Sequence, residues 1–322
     1  MTKNNDTMIS GETSLSWSVV TGVFHGFLWC TIGIYLPYLT SPRETARKVY
    51  QVAAFDYDPA KSLFDNTIWT WGTDYALAII TGIFSLWIIR TSSRSSRQEV
   101  QQLANMSASM LFLYSVSTGS GAIAHQFFLT VESRNTVAFR LLWIVCVGNV
   151  YLAAAPMGMI ASQCLRIFQS RSNCSPLLKT MPYLRKSYWL AYGITGAFAF
   201  AKGFISYQRP AADIFIAGVT QTPCTFYIMA FLYLVELPGI TNFKKTYGLI
   251  GFILNAYLFP AYTFLVDSMG WSMAMINTFL HVNLCISWSL QGLILQRLVK
   301  SLVEEETESE KSSEELRQKK DQ

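Results

Sequence analysis

The chain has only three histidines, His25, His125 and His281, and each lies inside a long apolar run. Asp74, Lys202, Glu236 and Asp267 sit in or at the ends of similar runs, with Asp213 opening another. An ionisable side chain in hydrocarbon is costly, so such residues point to function before they point to packing. Read as membrane-crossing helices, the runs sort these groups by depth at 1.5 Å per residue. Asp74 lies ~10 Å below one membrane face, His125 about 5–8 Å below the same face, and His281 ~10 Å below it. His25 and Glu236 fall toward the other face. Asn277 precedes His281 by one turn and shares its helix face.

Two imidazoles and a carboxylate at one depth form a donor set that suits Zn²⁺, which in catalytic sites keeps an open position for water. Such a water ionises near neutrality and can attack an amide or ester. His125, His281 and Asp74 are therefore the candidate metal ligands, and zinc the candidate cofactor. Asp74 and Asn277, at the same level, are candidate catalytic residues. The chain has neither an HxxxH nor an HExxH motif, and the alternative is that each histidine simply hydrogen-bonds between helices. Lys202 can equally snorkel to the interface.

The elements that must position these residues follow from composition. Of 322 residues, 51% are hydrophobic and 14% charged, too few charges to cover a water-facing surface. The apolar runs are Trp17–Leu39, Thr67–Ile89, Met106–Thr130, Phe139–Ser162, Tyr188–Ser206, Asp213–Leu237, Tyr247–Val266 and Ala274–Leu295. Each is long enough to span the hydrocarbon core as a helix, the form that satisfies its own backbone without water. The fold expected is an all-α integral membrane bundle of seven or eight transmembrane helices over residues 17–297. A polar segment (1–16) precedes it, and a charged, disordered tail (298–322) follows. The polar start lacks the basic stretch and cleavage site of a signal peptide, so none is expected. The six cysteines form no CxxC pair and read as buried thiols. The net charge of +5 comes from loop lysines and arginines and does not suggest nucleic acid binding.

Loop charge orients the bundle. Arg90, Arg94 and Arg97 follow the second run. Arg166, Arg171, Lys179, Arg185 and Lys186 follow the fourth, Lys244 and Lys245 the sixth, and Arg297 and Lys300 the last. The positive-inside rule puts these connections and the C-terminus in the cytosol. The connection from Ser41 to Asn66 disagrees, since it would be outside yet carries Arg43, Arg47, Lys48 and Lys61. Either the first run is not a full span or this loop violates the rule. Pro156, Pro223 and Pro260 interrupt three runs, as in the broken helices of transport sites and in inert kinked bundles alike.

The segment Ser117-Thr118-Gly119-Ser120-Gly121-Ala122-Ile123-Ala124-His125 resembles the early serine–histidine segment of the seven-helix superfamily of alkaline ceramidases and progestin and adipoQ receptors. Asn277-Thr278-Phe279-Leu280-His281 is similar to its last-helix HxxxH, with Asn at the first His position, and Ser120 stands one residue from the family spacing. Asp74, in Gly72-Thr73-Asp74-Tyr75, takes the place of the acidic member, a whole helix before His125. The resemblance implies a zinc site acting on a lipid amide, or a receptor-like protein keeping the fold.

Three functions are consistent with these residues. The first is a metal-dependent lipid amide or ester hydrolase of ceramidase-like type, with membrane lipid as substrate and Ser120 assisting the oxyanion. The second is a transporter in which the same groups relay protons. The third is a receptor-like protein without catalytic activity.

Overall fold

The computed structural model of the chain describes residues 14–40, 44, 64–171, 174–202, 210–236 and 240–320. Its ordered elements are helices: α1 (Leu15–Thr40), α2 (Ile68–Ser92), α3 (Gln98–Phe127), α4 (Val131–Arg134), α5 (Val137–Gln169), α6 (Pro176–Thr180), α7 (Lys186–Ala201), α8 (Pro210–Thr220), α9 (Thr222–Leu234), α10 (Asn242–Asp267) and α11 (Met273–Lys320).

Among the described residues, five segments are long and apolar enough to cross a membrane: α1, α2, α5, α8 with α9, and α11. They mark an integral membrane protein. The expected seven or eight spans are thus matched at five. The difference has a physical basis in α3, which is long but carries Gln98, Gln101, Gln102 and a series of serines and threonines. It touches α2, α5 and α11, so much of its surface meets protein and does not need an apolar coat. The fifth run reaches only Ala201 within α7, and residues 203–209 lie outside the described part.

Neighbours close a ring. α2 packs on α3, α3 on α5, α5 on α9, α9 on α10, α10 on α11, and α11 back on α2, while α7 and α1 stack outside α5 and α8. Small residues permit the approach at α5, where Trp189 of α7 lies flat on Gly158. A Cβ there would fall 2.1 Å from the indole, and the same indole N–H donates to Ser162 at 3.1 Å.

One expected span is broken. α8 stops at Thr220 and α9 starts at Thr222 with Pro223 in its first turn. Proline cannot donate to the preceding turn, so carbonyls there are released. The Tyr192 hydroxyl takes the Thr220 carbonyl. The Gln221 amide donates to Val150 O at 2.7 Å and accepts from the Tyr114 hydroxyl at 2.8 Å and from Asn255 at 3.2 Å. Irregular backbone at membrane depth survives only with such internal partners. Pro156 and Pro260, by contrast, lie inside continuous helices.

Residues 298–320, read from composition as a charged tail, disordered or transiently helical, continue α11 as helix through Lys320. The start of this stretch is tied down. The Glu306 carboxylate accepts the Ser96 N–H at 2.9 Å, the Arg97 N–H at 3.1 Å and the hydroxyls of Ser95 and Ser96. These groups lie on the turn that leads into α3 and include the amide of its N-cap, Arg97, where a carboxylate also complements the helix dipole. Arg171 joins Glu305 at 2.7 Å beside it. The residues beyond are solvated, as the composition implies.

Candidate functional site

Inside the ring is a partly open cavity of about 90 Å³. Asp74, His125 and His281 all line it, so the shared depth read from the sequence corresponds to a shared chamber. Its other walls are mostly apolar or aromatic, including Trp143, Leu280, Leu284 and Trp288, and its floor is the satisfied cluster of Tyr114, Gln221 and Asn255.

Asp74 stands in the second turn of α2 and is 4% exposed. Gly121 of α3 faces it: a Cβ on Gly121 would lie 3.3 Å from both the Asp74 Oδ2 and the Cys146 sulfur. The glycine gives the carboxylate its room. His281 Nδ1 lies 3.1 Å from the Thr73 hydroxyl, 3.3 Å from the Thr70 carbonyl and 3.6 Å from Asp74 Oδ1. The last distance exceeds hydrogen-bond length. Among the described residues, nothing donates a hydrogen bond to the Asp74 carboxylate.

His125 is engaged differently. Its Nδ1 lies 2.7 Å from the backbone carbonyl of Asp65, which assigns the proton to that nitrogen. Its ring stacks on Phe64 at 4.5 Å. Phe64 also meets Phe139 and Trp143 edge to face, and the Arg134 guanidinium lies 5.0 Å from its ring centre. Asn66 donates to the His125 carbonyl at 2.6 Å, closing the end of α3. The Asp65 carboxylate accepts from Thr67 N at 2.9 Å, from the Thr70 hydroxyl and from Asn277 at 3.4 Å. Burial alone would raise the Asp65 pKa, but these donors outweigh it and hold the carboxyl below its ordinary 3.8. Residues 64–67 thus form a strap across the cavity end of the bundle, bound to α3 through His125 and to α11 through Asn277.

Of the residues picked from the sequence, Asp74, His125 and His281 meet at the cavity, and Asn277 holds the strap above it. Ser120 turns its hydroxyl back to the Val116 carbonyl at 2.8 Å within its own helix and does not line the chamber. Asp213 is fully buried against the Trp143 indole N–H at 3.0 Å. Lys202 is exposed beside Phe198, Glu236 is exposed, and His25 pairs with the Tyr188 hydroxyl at 2.8 Å, joining α1 to α7. The side chain of Asp267 lies outside the described part. Sequence reasoning missed Phe64, Asp65 and Asn66, although Asp-Asn-Thr just before an apolar run is a helix-start signal.

Zinc is tested by the donors themselves. Among the described residues, no group of three or more His, Cys, Asp or Glu is arranged to hold a metal ion. The Nδ1 of His125 is committed to the Asp65 carbonyl, which leaves its Nε2 as the nitrogen that could meet a metal. All six cysteines are free thiols. No known family, curated protein or solved structure matches the chain.

Proposed function

We propose that this is a membrane protein of eight crossing segments whose central cavity binds a small, largely apolar molecule, acting as a receptor-like or carrier protein. The observation that carries the reading is the chamber itself: apolar walls and a few convergent polar groups, the usual composition of a ligand site. The break at Gln221 supports it, because discontinuous helices at membrane depth accompany binding sites. In this reading α3, α7 and α10 also cross, and the arginine-rich connection at Arg94 faces the cytosol with the C-terminus. Single cysteines at Arg94, Ser133 and Ser268 in a cysteine-free background test the topology. Arg94 should label from the cytosolic side and the other two from the opposite side.

Binding is tested by filling the chamber. Leu284→Trp should abolish saturable uptake of apolar probes in nanodiscs while leaving the thermal transition of the bundle intact. Equal uptake by the variant and the wild type would end the reading.

A second reading, a lipid amide or ester hydrolase resembling the alkaline ceramidases, is favoured by Asp74, His125 and His281 facing one chamber. It requires turnover of N-acyl or O-acyl lipids that is lost in both His125→Ala and His281→Ala. Elemental analysis of the same proteins tests its zinc.

A further inference from the structure

We infer that the molecule held in the cavity is a lipophilic amine, bound as an ammonium ion against Asp74; this rests on the cavity being a ligand site at all. Asp74 is 4% exposed, faces a chamber with apolar and aromatic walls, and receives no hydrogen bond among the described residues. The protein offers it His281 Nδ1 at 3.6 Å, beyond hydrogen-bond length, so its carboxylate can take a donor from a molecule in the chamber. Other polar groups at the chamber already have partners. Tyr114 and Asn255 donate to Gln221, the Trp288 indole N–H donates to Asn255 at 3.2 Å, and the Ser117 and Thr118 hydroxyls donate to backbone carbonyls at 2.7 Å and 2.9 Å. His281 has Thr73 and Thr70 closer than Asp74. The partner of a carboxylate is a donor, and a positively charged one leaves no net charge in the hydrocarbon. An acidic ligand would instead face Asp74 with like charge, and an uncharged apolar one would leave it unsatisfied.

The test uses three probes of one shape, aminoadamantane, adamantanol and adamantane carboxylate, binding to the full chain in nanodiscs. The amine should bind at least ~30-fold more tightly than the alcohol, the scale set by a buried charge losing its partner. Asp74→Asn should remove that preference and leave alcohol binding unchanged, while Asp74→Glu, which keeps the charge, should restore it. Equal binding of amine and alcohol to the wild type, or a preference that survives Asp74→Asn, would overturn the amine while leaving the cavity reading standing. Absence of saturable binding by any of the three would overturn both. Should Asp74→Asn fail to fold, Asp74→Ser, which also removes the charge, takes its place with the same outcomes.

Discussion

The two ends of the bundle use one device for different purposes. At one end Glu306 accepts the Ser96 and Arg97 amides ahead of α3; at the other Asp65 accepts the Thr67 amide ahead of α2. The Glu306 end is tied by many side-chain bonds. Gln163 donates to the Glu99 carbonyl, Gln169 to the Leu178 and Met181 carbonyls, Lys186 to Gln102 and Tyr227 to the Pro182 carbonyl. The Asp65 end is equally bound at its rim, yet beneath it an acid is left without a donor. The contrast separates polar groups that close the structure from those left for something else. Where the chain completes its own hydrogen bonds over water-facing loops, it is being held together. Where it leaves a carboxylate with only an imidazole at 3.6 Å, there is room for a further donor from the chamber.

The comparison can be broken at either end. The largest expected effect is at the Glu306 end: Glu306→Ala strands four donors and should cost about 2–3 kcal/mol of stability. An unfolding midpoint in detergent that does not move would show the contact to be idle. Gly121→Ala comes next, because its methyl group presses on the Asp74 carboxylate and the Cys146 thiol. About 1 kcal/mol is expected, together with weakened binding in the chamber. Stability lost with binding intact would remove Gly121 from any role beside Asp74. His125→Phe keeps the stacking on Phe64 but drops the bond to the Asp65 carbonyl, at about 1 kcal/mol or less. Its distinguishing mark is local, namely faster amide exchange in residues 64–67 with the Glu306 end unchanged.

The smallest effect is electrostatic. The Asp65 carboxyl is held below its ordinary 3.8, so its stabilisation is present above that value and fades as the pH falls through the folded-state value. Wild type and Asp65→Asn should therefore differ at neutral pH and converge as the pH falls below the folded-state value. A constant difference down to that acidity would mean that Asp65 acts through shape alone.

What could be read from the sequence was what is local and periodic. Apolar runs marked the main helices, and counting residues from their ends brought Asp74, His125 and His281 to one level. Contacts between distant residues were not readable. Asp65 meets His125 across 60 positions and Asn277 across 212, and Glu306 meets Ser96 across 210. No local pattern encodes such pairings. Ser120 looked available because its type suits an oxyanion role, but a serine inside a helix has the carbonyl four residues back within reach. α3 was read as apolar enough to face lipid, whereas its serines and threonines are accommodated by three neighbouring helices. The charged end of α11 looked disordered because its anchors, Glu305 and Glu306, bind partners on other helices.

That last helix has a practical consequence. With 48 residues, α11 is a rod of roughly 72 Å, against a hydrocarbon core of about 30 Å. Its direction is set where Arg171 and the start of α3 grip it, and the remainder projects into solvent without interruption. A small domain fused after Lys320 in continuous helical register would turn with the bundle. A protein otherwise hidden in its lipid or detergent belt thus carries a built-in mast, from which its orientation can be read in single-particle images.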